Sequence, residues 1–249
     1  MARKKHKDWF DRDCALRLGH AIRENHSAFD VESYADEVAA GVPPLELKAR
    51  VLLMAEGLRT RLPENYEAAA AILSASLGPP LEGETGMFTE GYWLMPVARF
   101  VEEYGHDHFD LSLSLCTEIT RRHTSEYAVR PYIKADPERA LATMTSWVQS
   151  NDLHIRRLAS EGVRPRLPWA KRLHVFIKDP DPILTLITPL RADPSRYVRM
   201  SVANLINDVS KDHPDRIETL AESWSVEDNT HTDWIIQHGL RTLRKGRGG

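Results

Sequence analysis

Apolar residues recur along this chain at three- and four-residue intervals, and no segment shows sustained alternation of apolar and polar positions. That pattern predicts helices throughout and no strand. Phe10, Cys14, Leu18 and Ile22 follow one another at i+4 spacing and predict a first helix that runs to about Asn25. A second covers Val31 to Ala40 and stops at Gly41 and the Pro43–Pro44 turn. LELKARVLLMAEGL, Leu45 to Leu58, predicts a third, and the alanine-rich stretch Asn65 to Leu77 a fourth. GPPLEGETGM reads as loop. Tyr92 to Tyr104 is helical again, with Pro96 implying a start or a kink, and Phe109 to Arg122 continues the period.

Beyond Arg122 the pattern repeats itself. Ala128-Val129-Arg130, His154-Ile155-Arg156 and Tyr197-Val198-Arg199 each begin an amphipathic helix, and Trp234-Ile235-Ile236-Gln237 reads as a degenerate fourth copy. The first two separations are 26 and 43 residues. The second of these, and the similar distance to the fourth copy, lie near the period of HEAT-type helix pairs. Arg139 to Val148 and Asp215 to Trp224 supply preceding helices, and Asp136-Pro137, Asp193-Pro194 and His213-Pro214 sit at helix starts, where proline is tolerated. The expected fold is all-α, a HEAT-like helical-repeat solenoid whose second helices form a concave face, with the arginines of the Val-Arg helices along one surface. One repeat domain is expected over residues 1–245, with acidic N-terminal helices at about 8–110, basic repeats at about 111–245, and a flexible tail at 246–249.

With 249 residues, 42% hydrophobic and 28% charged, the chain is long enough to bury a sizeable core. Cys14 and Cys116 are far apart and lack CxxC spacing, which fits a reducing compartment, expected to be the cytoplasm, and argues against a disulfide scaffold or zinc ribbon. No apolar run approaches ~18 residues, and the basic start MARKKHKDWFD has no apolar stretch behind it, so neither a membrane span nor a secretory signal is expected. The net charge of −3 conceals an asymmetry. Ala28 to Asp110 holds fifteen Asp and Glu against five Lys and Arg, whereas Arg121 to Arg172 holds eleven Lys and Arg against five acids. The C-terminal end adds Arg241, Arg244, Lys245 and Arg247. Basic clusters of this kind suit phosphate-rich ligands, although a solvated basic helix face has the same composition.

The densest chemistry lies in HIRRLASEGVRPRLPWAKR, His154 to Arg172. Its first half has helical period, and Pro165 and Pro168 forbid continuation. Arg156, Arg157, Arg164 and Arg166 then surround Glu161 and Trp169. This stretch reads either as a surface that holds a polyanion around one carboxylate, or as a structural Arg157–Glu161 network at i,i+4 with Trp169 as a core plug. Glu126 follows Thr124 and Ser125, which look like an N-cap region, so the helix dipole alone would favour a glutamate there. Asp208 shares a helix face with Asn204 and Lys211, for which a surface ion pair is the plainer reading. His106-Asp107-His108 is a weak metal signal without further grouped ligands. No phosphate-binding glycine loop, GxSxG or deaminase signature is present.

TSEYAVRPYI, HIRRLASEGVRPRLPWA and RYVRMSVANLINDVSKDHP together resemble the AlkC family of HEAT-like alkylpurine DNA glycosylases, related more distantly to AlkD. FDVESYADEVAAGVPPLELKAR and RLPENYEAAAAIL extend the resemblance over nearly the whole chain. It implies removal of cationic N-alkylated purines, chiefly 3-methyladenine, from double-stranded DNA, by a monomer without metal or organic cofactor. Carried over by motif, Asp208, Glu126, Glu161 and Trp169 fall at the family's active-site positions. Arg157, Arg164 and Arg166 fall in its DNA-contacting surface, to which the Val-Arg helices add Arg130, Arg156 and Arg199. Some members carry a C-terminal immunoglobulin-like domain, whereas this chain ends with RTLRKGRGG after the last repeat, as a short form or with that domain removed. A non-catalytic HEAT-like module that binds DNA structures or a protein is the competing expectation.

Overall fold

The computed structural model describes residues 5–84, 90–226 and 228–247. Among these residues every regular element is a helix. They group into two compact units, Met1–Val129 and Arg130–Gly249.

The first unit contains α1 (Arg12–Arg23), α2 (Val31–Gly41), α3 (Leu47–Arg59), α4 (Tyr66–Ala75), α5 (Met95–Tyr104) and α6 (Phe109–Thr120). Local chemistry sets their starts. The side chains of Asp11, Asp30 and Asn65 accept the backbone N–H of Cys14, Ser33 and Ala68, which satisfies an otherwise unpaired donor at each helix N-terminus. Phe10, Leu18, Ile22, Tyr34, Met54, Leu58, Leu73 and Phe100 are buried, and α1 packs on α2, α2 on α3, α3 on α5 and α4 on α6. Cys14 and Cys116 are both buried as free thiols. Of the expected loop GPPLEGETGM, residues 78–84 are irregular and residues 85–87 lie outside the described residues.

The second unit contains α7 (Arg130–Ala135), α8 (Pro137–Trp147), α9 (Leu153–Glu161), α10 (His174–Lys178), α11 (Asp181–Ile187), α12 (Arg196–Val209), α13 (Pro214–Trp224), α14 (Thr230–Gly239) and α15 (Arg241–Arg247). In chain order α8 precedes α9, α11 precedes α12 and α13 precedes α14, as the first and second members of successive repeats. The second members lie side by side, with α12 packed on both α9 and α14, the arrangement of a HEAT-like repeat. Gly239 permits the close approach of α14 to α12, because a Cβ there would lie 2.6 Å from Ile206 Cγ2. No helix among the described residues is long and apolar enough to cross a membrane. Residues 248–249 of the expected tail lie outside the described residues.

Three local expectations are corrected. Residues 173–190, where the apolar pattern assigns no element, hold α10 and α11. Asp193-Pro194 does not begin a helix: Ser195 is the N-cap of α12, accepting Val198 N–H at 3.2 Å, and Asp193 Oδ1 accepts the Ser195 N–H at 2.9 Å.

The third correction concerns the Val-Arg helices, whose arginines do not form an outward row. Arg156 and Arg199 occupy the fourth positions of α9 and α12. Arg156 Nη1 donates to the carbonyls of Ser150 and Asn151 at 2.9 and 3.1 Å, and Arg199 Nη1 to those of Asp193 and Pro194 at 2.8 and 2.7 Å. Arg50, in the same position of α3, donates from Nε to Leu45 O at 2.9 Å. The carbonyls of a chain turning into a helix have no intrahelical donor, and a guanidinium one turn in reaches back to supply it. Arg130 is likewise buried and donates to three carbonyls, Gly162 and Arg164 from Nη1 at 2.9 and 3.0 Å and Lys171 from Nη2 at 2.7 Å.

Arg156 also binds both oxygens of buried Asp193, at 2.6 and 3.1 Å, which Arg199 does not. Arg156→Ala therefore leaves an uncompensated buried carboxylate and should cost about 3–5 kcal/mol. Arg199→Ala, which loses carbonyl bonds and the stacking over Trp234, should cost about 1–3 kcal/mol. Urea unfolding of the two variants separates the cases: equal losses would refute the contribution of Asp193.

A candidate active site of paired carboxylates and arginines

The second unit brings two carboxylates to one guanidinium. Glu161 is the last residue of α9, and Arg164 follows three residues later in the loop that the prolines open. Asp208 lies on α12, on a face it shares with Tyr197, Ser201 and Asn204 at intervals of four, three and four residues. Arg164 Nη1 donates to Glu161 Oε1 at 2.6 Å and its Nε to Asp208 Oδ2 at 2.9 Å. All three side chains are buried. Ser201 Oγ donates to Glu161 Oε2 at 2.6 Å and lies 2.7 Å from Ser160 Oγ. Arg157 adds a second cation 3.5 Å from Glu161 Oε1, its guanidinium 4.7 Å from the centre of the Tyr197 ring.

These contacts set the ionisation of Glu161. Burial by itself would raise its pKa, but the charges of Arg157 and Arg164 and the hydrogen bonds from Ser201 and Arg164 outweigh it and hold the carboxyl below the usual range. Burial likewise opposes the charge on Arg164, and Glu161 and Asp208 overcome it, so that guanidinium is held above its ordinary value. Asp208 Oδ2 is occupied by Arg164, and the half-exposed Lys211 lies 3.4 Å from Oδ1. Two carboxylates and three cations thus give the cluster a net charge of about +1.

The Arg157–Glu161 network read from the sequence is therefore present, but its companion expectation for Trp169 is not. Trp169 is no core plug: it is 63% exposed. Its φ is +62°, the left-handed region that disfavours bulky side chains. Ala170 N–H donates to Leu167 O at 3.2 Å across Pro168 and Trp169, the pattern of a type II turn with tryptophan where glycine is usual. The strain of about 1–3 kcal/mol is the kind retained at functional sites. Arg166 pairs through Nε and Nη2 with Asp212, at 2.9 and 2.7 Å, at the partly exposed edge of the same loop. Asp208 is buried, so its pairing with Lys211 is not the surface ion pair the sequence suggested.

Glu126 belongs to the first unit and is buried there. It is not in the first turn of a helix, because the next helix begins only at Arg130; Thr124 Oγ1 donates to its Oε2 at 2.9 Å. In the HxH segment, His108 stacks on Tyr66 with centroids 4.9 Å apart and lies 3.7 Å from Glu67. Sequence reasoning missed Ser160, Ser201, Tyr197 and the bridging role of Arg164. The polar stripe 197-201-204-208 along α12 is the signal that could have found Ser201 and Tyr197. It also missed how α15 docks: Arg241 Nη2 donates to Asn204 Oδ1 at 2.9 Å, and Thr242 donates from N and Oγ1 to buried Asn207 Oδ1 at 3.3 and 2.8 Å.

Comparison with known proteins places this arrangement. Residues 102–243 match the model of a family described as DNA alkylation repair enzyme. The chain is 37% identical over 240 residues to the uncharacterized protein YhaZ of Bacillus subtilis (strain 168), covering 96% of this chain and 64% of that protein. It matches the structure of the Pseudomonas fluorescens alkylpurine DNA glycosylase AlkC bound to DNA containing an abasic site analog, with a TM-score of 0.88 and 34% identity, over 98% of this chain and 66% of that one. The chain therefore spans just under two thirds of the length of either relative.

The depressed pKa of Glu161 has a consequence for stability. An unfolded glutamate titrates near pH 4.3, so the stability contributed by the lower native value is complete above about that pH and is lost as pH falls through the native value. Glu161→Gln, which keeps one acceptor oxygen, turns the other into an NH2 donor and removes the charge, should lower Tm at neutral pH and show a smaller further drop between about pH 5 and pH 3 than the parent. Parallel pH–Tm curves for the two proteins would refute the ionised, arginine-held state of Glu161.

Proposed function

The chain belongs to the DNA alkylation repair enzyme family, and on that premise we propose that it is an alkylpurine DNA glycosylase. In this reading it hydrolyses the N-glycosidic bond of cationic N-alkylated purines, chiefly 3-methyladenine, in double-stranded DNA. The observation that supports it best is the buried, position-locked carboxylate of Asp208, with one oxygen on Arg164 and the other 3.4 Å from a half-exposed lysine.

The chemistry suits such a group. An N3-methylated adenine already carries positive charge, so when the C1′–N bond breaks, its electron pair returns to the purine and the base leaves neutral. The positive charge passes to the deoxyribose as an oxocarbenium-like state. Water then adds to C1′ and loses a proton. A carboxylate ~4 Å from that charge is worth ~4 kcal/mol at an effective dielectric of 20, roughly a thousandfold in rate. Asp208 takes that role. Glu126, carried by its motif, is the second catalytic carboxylate and orients or deprotonates the water. Glu161 supports Asp208 by fixing Arg164, and Trp169 offers an aromatic face to the lesion nucleotide. Arg157, Arg164 and Lys211 offset the two acids, so a phosphate-rich ligand is not repelled from the cluster. The step needs neither metal nor organic cofactor, and a single copy of the chain suffices for it.

The test is release of methylated bases from alkylated genomic DNA, separated by chromatography. Release of 3-methyladenine is expected, and tight DNA binding with no release would favour a non-catalytic binding module. Asp208→Asn, which still accepts the Arg164 bond, should abolish release while duplex binding persists; near-normal release would refute the assignment. Trp169→Gly should leave stability unchanged or raise it by up to about 1 kcal/mol, because glycine relieves the left-handed strain, yet base release should fall. A variant that loses stability and keeps full activity would show that the ring serves the fold.

A further inference from the structure

Most cations in the basic section are already engaged within the protein. Arg130, Arg156 and Arg199 hold backbone carbonyls, Arg157 and Arg164 hold Glu161, and Arg166 holds Asp212. Lys171 and Arg172 differ. Both side chains are exposed, and neither makes a hydrogen bond or ion pair among the described residues. Arg172 acts electrostatically on Asp212, which is itself bound by Arg166, and that pairing first of all holds the Asp212 carboxyl below its usual range.

These two cations line an open cavity of about 570 Å³ with Lys134, Pro137, Leu173, His174 and Val175. None of the seven lining residues is acidic. Asp136 and Glu138 flank Pro137 in sequence, but the Asp136 carboxylate is taken up as the N-cap of α8, accepting Arg139 N–H at 3.0 Å. The apolar members form a surface suited to a sugar, and the cations form a rim suited to a phosphate.

The backbone beneath is fixed rather than loose. Arg130 binds the carbonyl of Lys171 at 2.7 Å, and Leu173 N–H donates to Pro165 O at 3.1 Å. The same Arg130 holds the carbonyls of Gly162 and Arg164, at 2.9 and 3.0 Å. One buried guanidinium thus ties the loop end that carries Arg164 to the loop end that carries Lys171.

We propose that the Lys134–Lys171–Arg172–His174 cavity is a phosphodiester-binding site that grips one stretch of the DNA backbone and fixes the register of the duplex relative to Asp208. It rests on the glycosylase reading for its ligand. Of the sequence-predicted arginines, Arg157 and Arg164 frame the carboxylates, and in this cavity Lys171 and Arg172 are the exchangeable cations that release counterions when DNA binds.

Fluorescence anisotropy tests it, with a labelled duplex carrying an abasic-site analogue, titrated at salt concentrations from about 50 to about 200 mM. Lys171→Ala/Arg172→Ala should weaken binding about tenfold at about 100 mM salt and reduce the slope of log K against log salt by about 1 to 2. Its Tm should match the parent, since no carboxylate contact is touched. Lys178→Ala, an exposed cation of α10 outside the cavity, is the single-charge control and should change the slope little. Equal effects of the control and the cavity variant would overturn the proposal in favour of diffuse charge. An unchanged slope in the double variant, with the parent binding tightly, would overturn it and leave the glycosylase reading intact. A parent chain that binds no duplex would overturn both.

Discussion

Arg164 between Glu161 and Asp208 is the contact on which the rest of this structure depends. Three charged side chains are buried together, and each is tolerable only because the others are present. The guanidinium is planar and forked, so it fixes both carboxylates in distance and direction as a lysine could not. It also joins the end of α9 to α12, two neighbouring second helices of the repeat. Ser201 and Arg157 complete the shell around Glu161 and keep it ionised although it is buried. What results is a buried carboxylate, Asp208, held in place by its hydrogen bond from Arg164.

A second constraint is the supply of carbonyl donors in the turns. HEAT-like pairs place many chain reversals close to buried surface, and every reversal leaves carbonyls without helical partners. Arginine at the fourth helical position solves this in α3, α9 and α12, and Arg130 does the same for the long loop between α9 and α10. The Val-Arg signature is therefore a feature of repeat closure. Charge that looks, in composition, like a nucleic-acid surface is largely internal wiring, and the cations at liberty to meet a phosphate are fewer and lie elsewhere.

Trp169 shows the opposite economy. A large apolar ring is left in solvent on a left-handed residue, where both burial and backbone preference argue against it. Elsewhere side-chain caps at Asp11, Asp30 and Asn65 and buried apolar faces follow local rules. Trp169 departs from them in the loop that also carries Arg164.

The sequence by itself determined the helices and their rough limits, because an apolar period of 3.6, an N-cap and a proline act within one or two turns. It determined the all-α class and, through the SEGVRPRLPWA and NLINDVSKDHP runs, which residues to inspect. It missed α10 and α11, where three prolines mask a short period. It could not decide what each arginine touches, since Arg156 and Arg164 are alike in sequence yet one closes a turn and the other joins two carboxylates. Nor could it distinguish Glu126 in a first helical turn from Glu126 in an irregular buried segment. Those assignments rest on contacts between residues some forty positions apart, such as Arg164 with Asp208 and Arg130 with Lys171. Only the tertiary structure brings such residues together, and only burial turns an ordinary surface pair into a fixed charge.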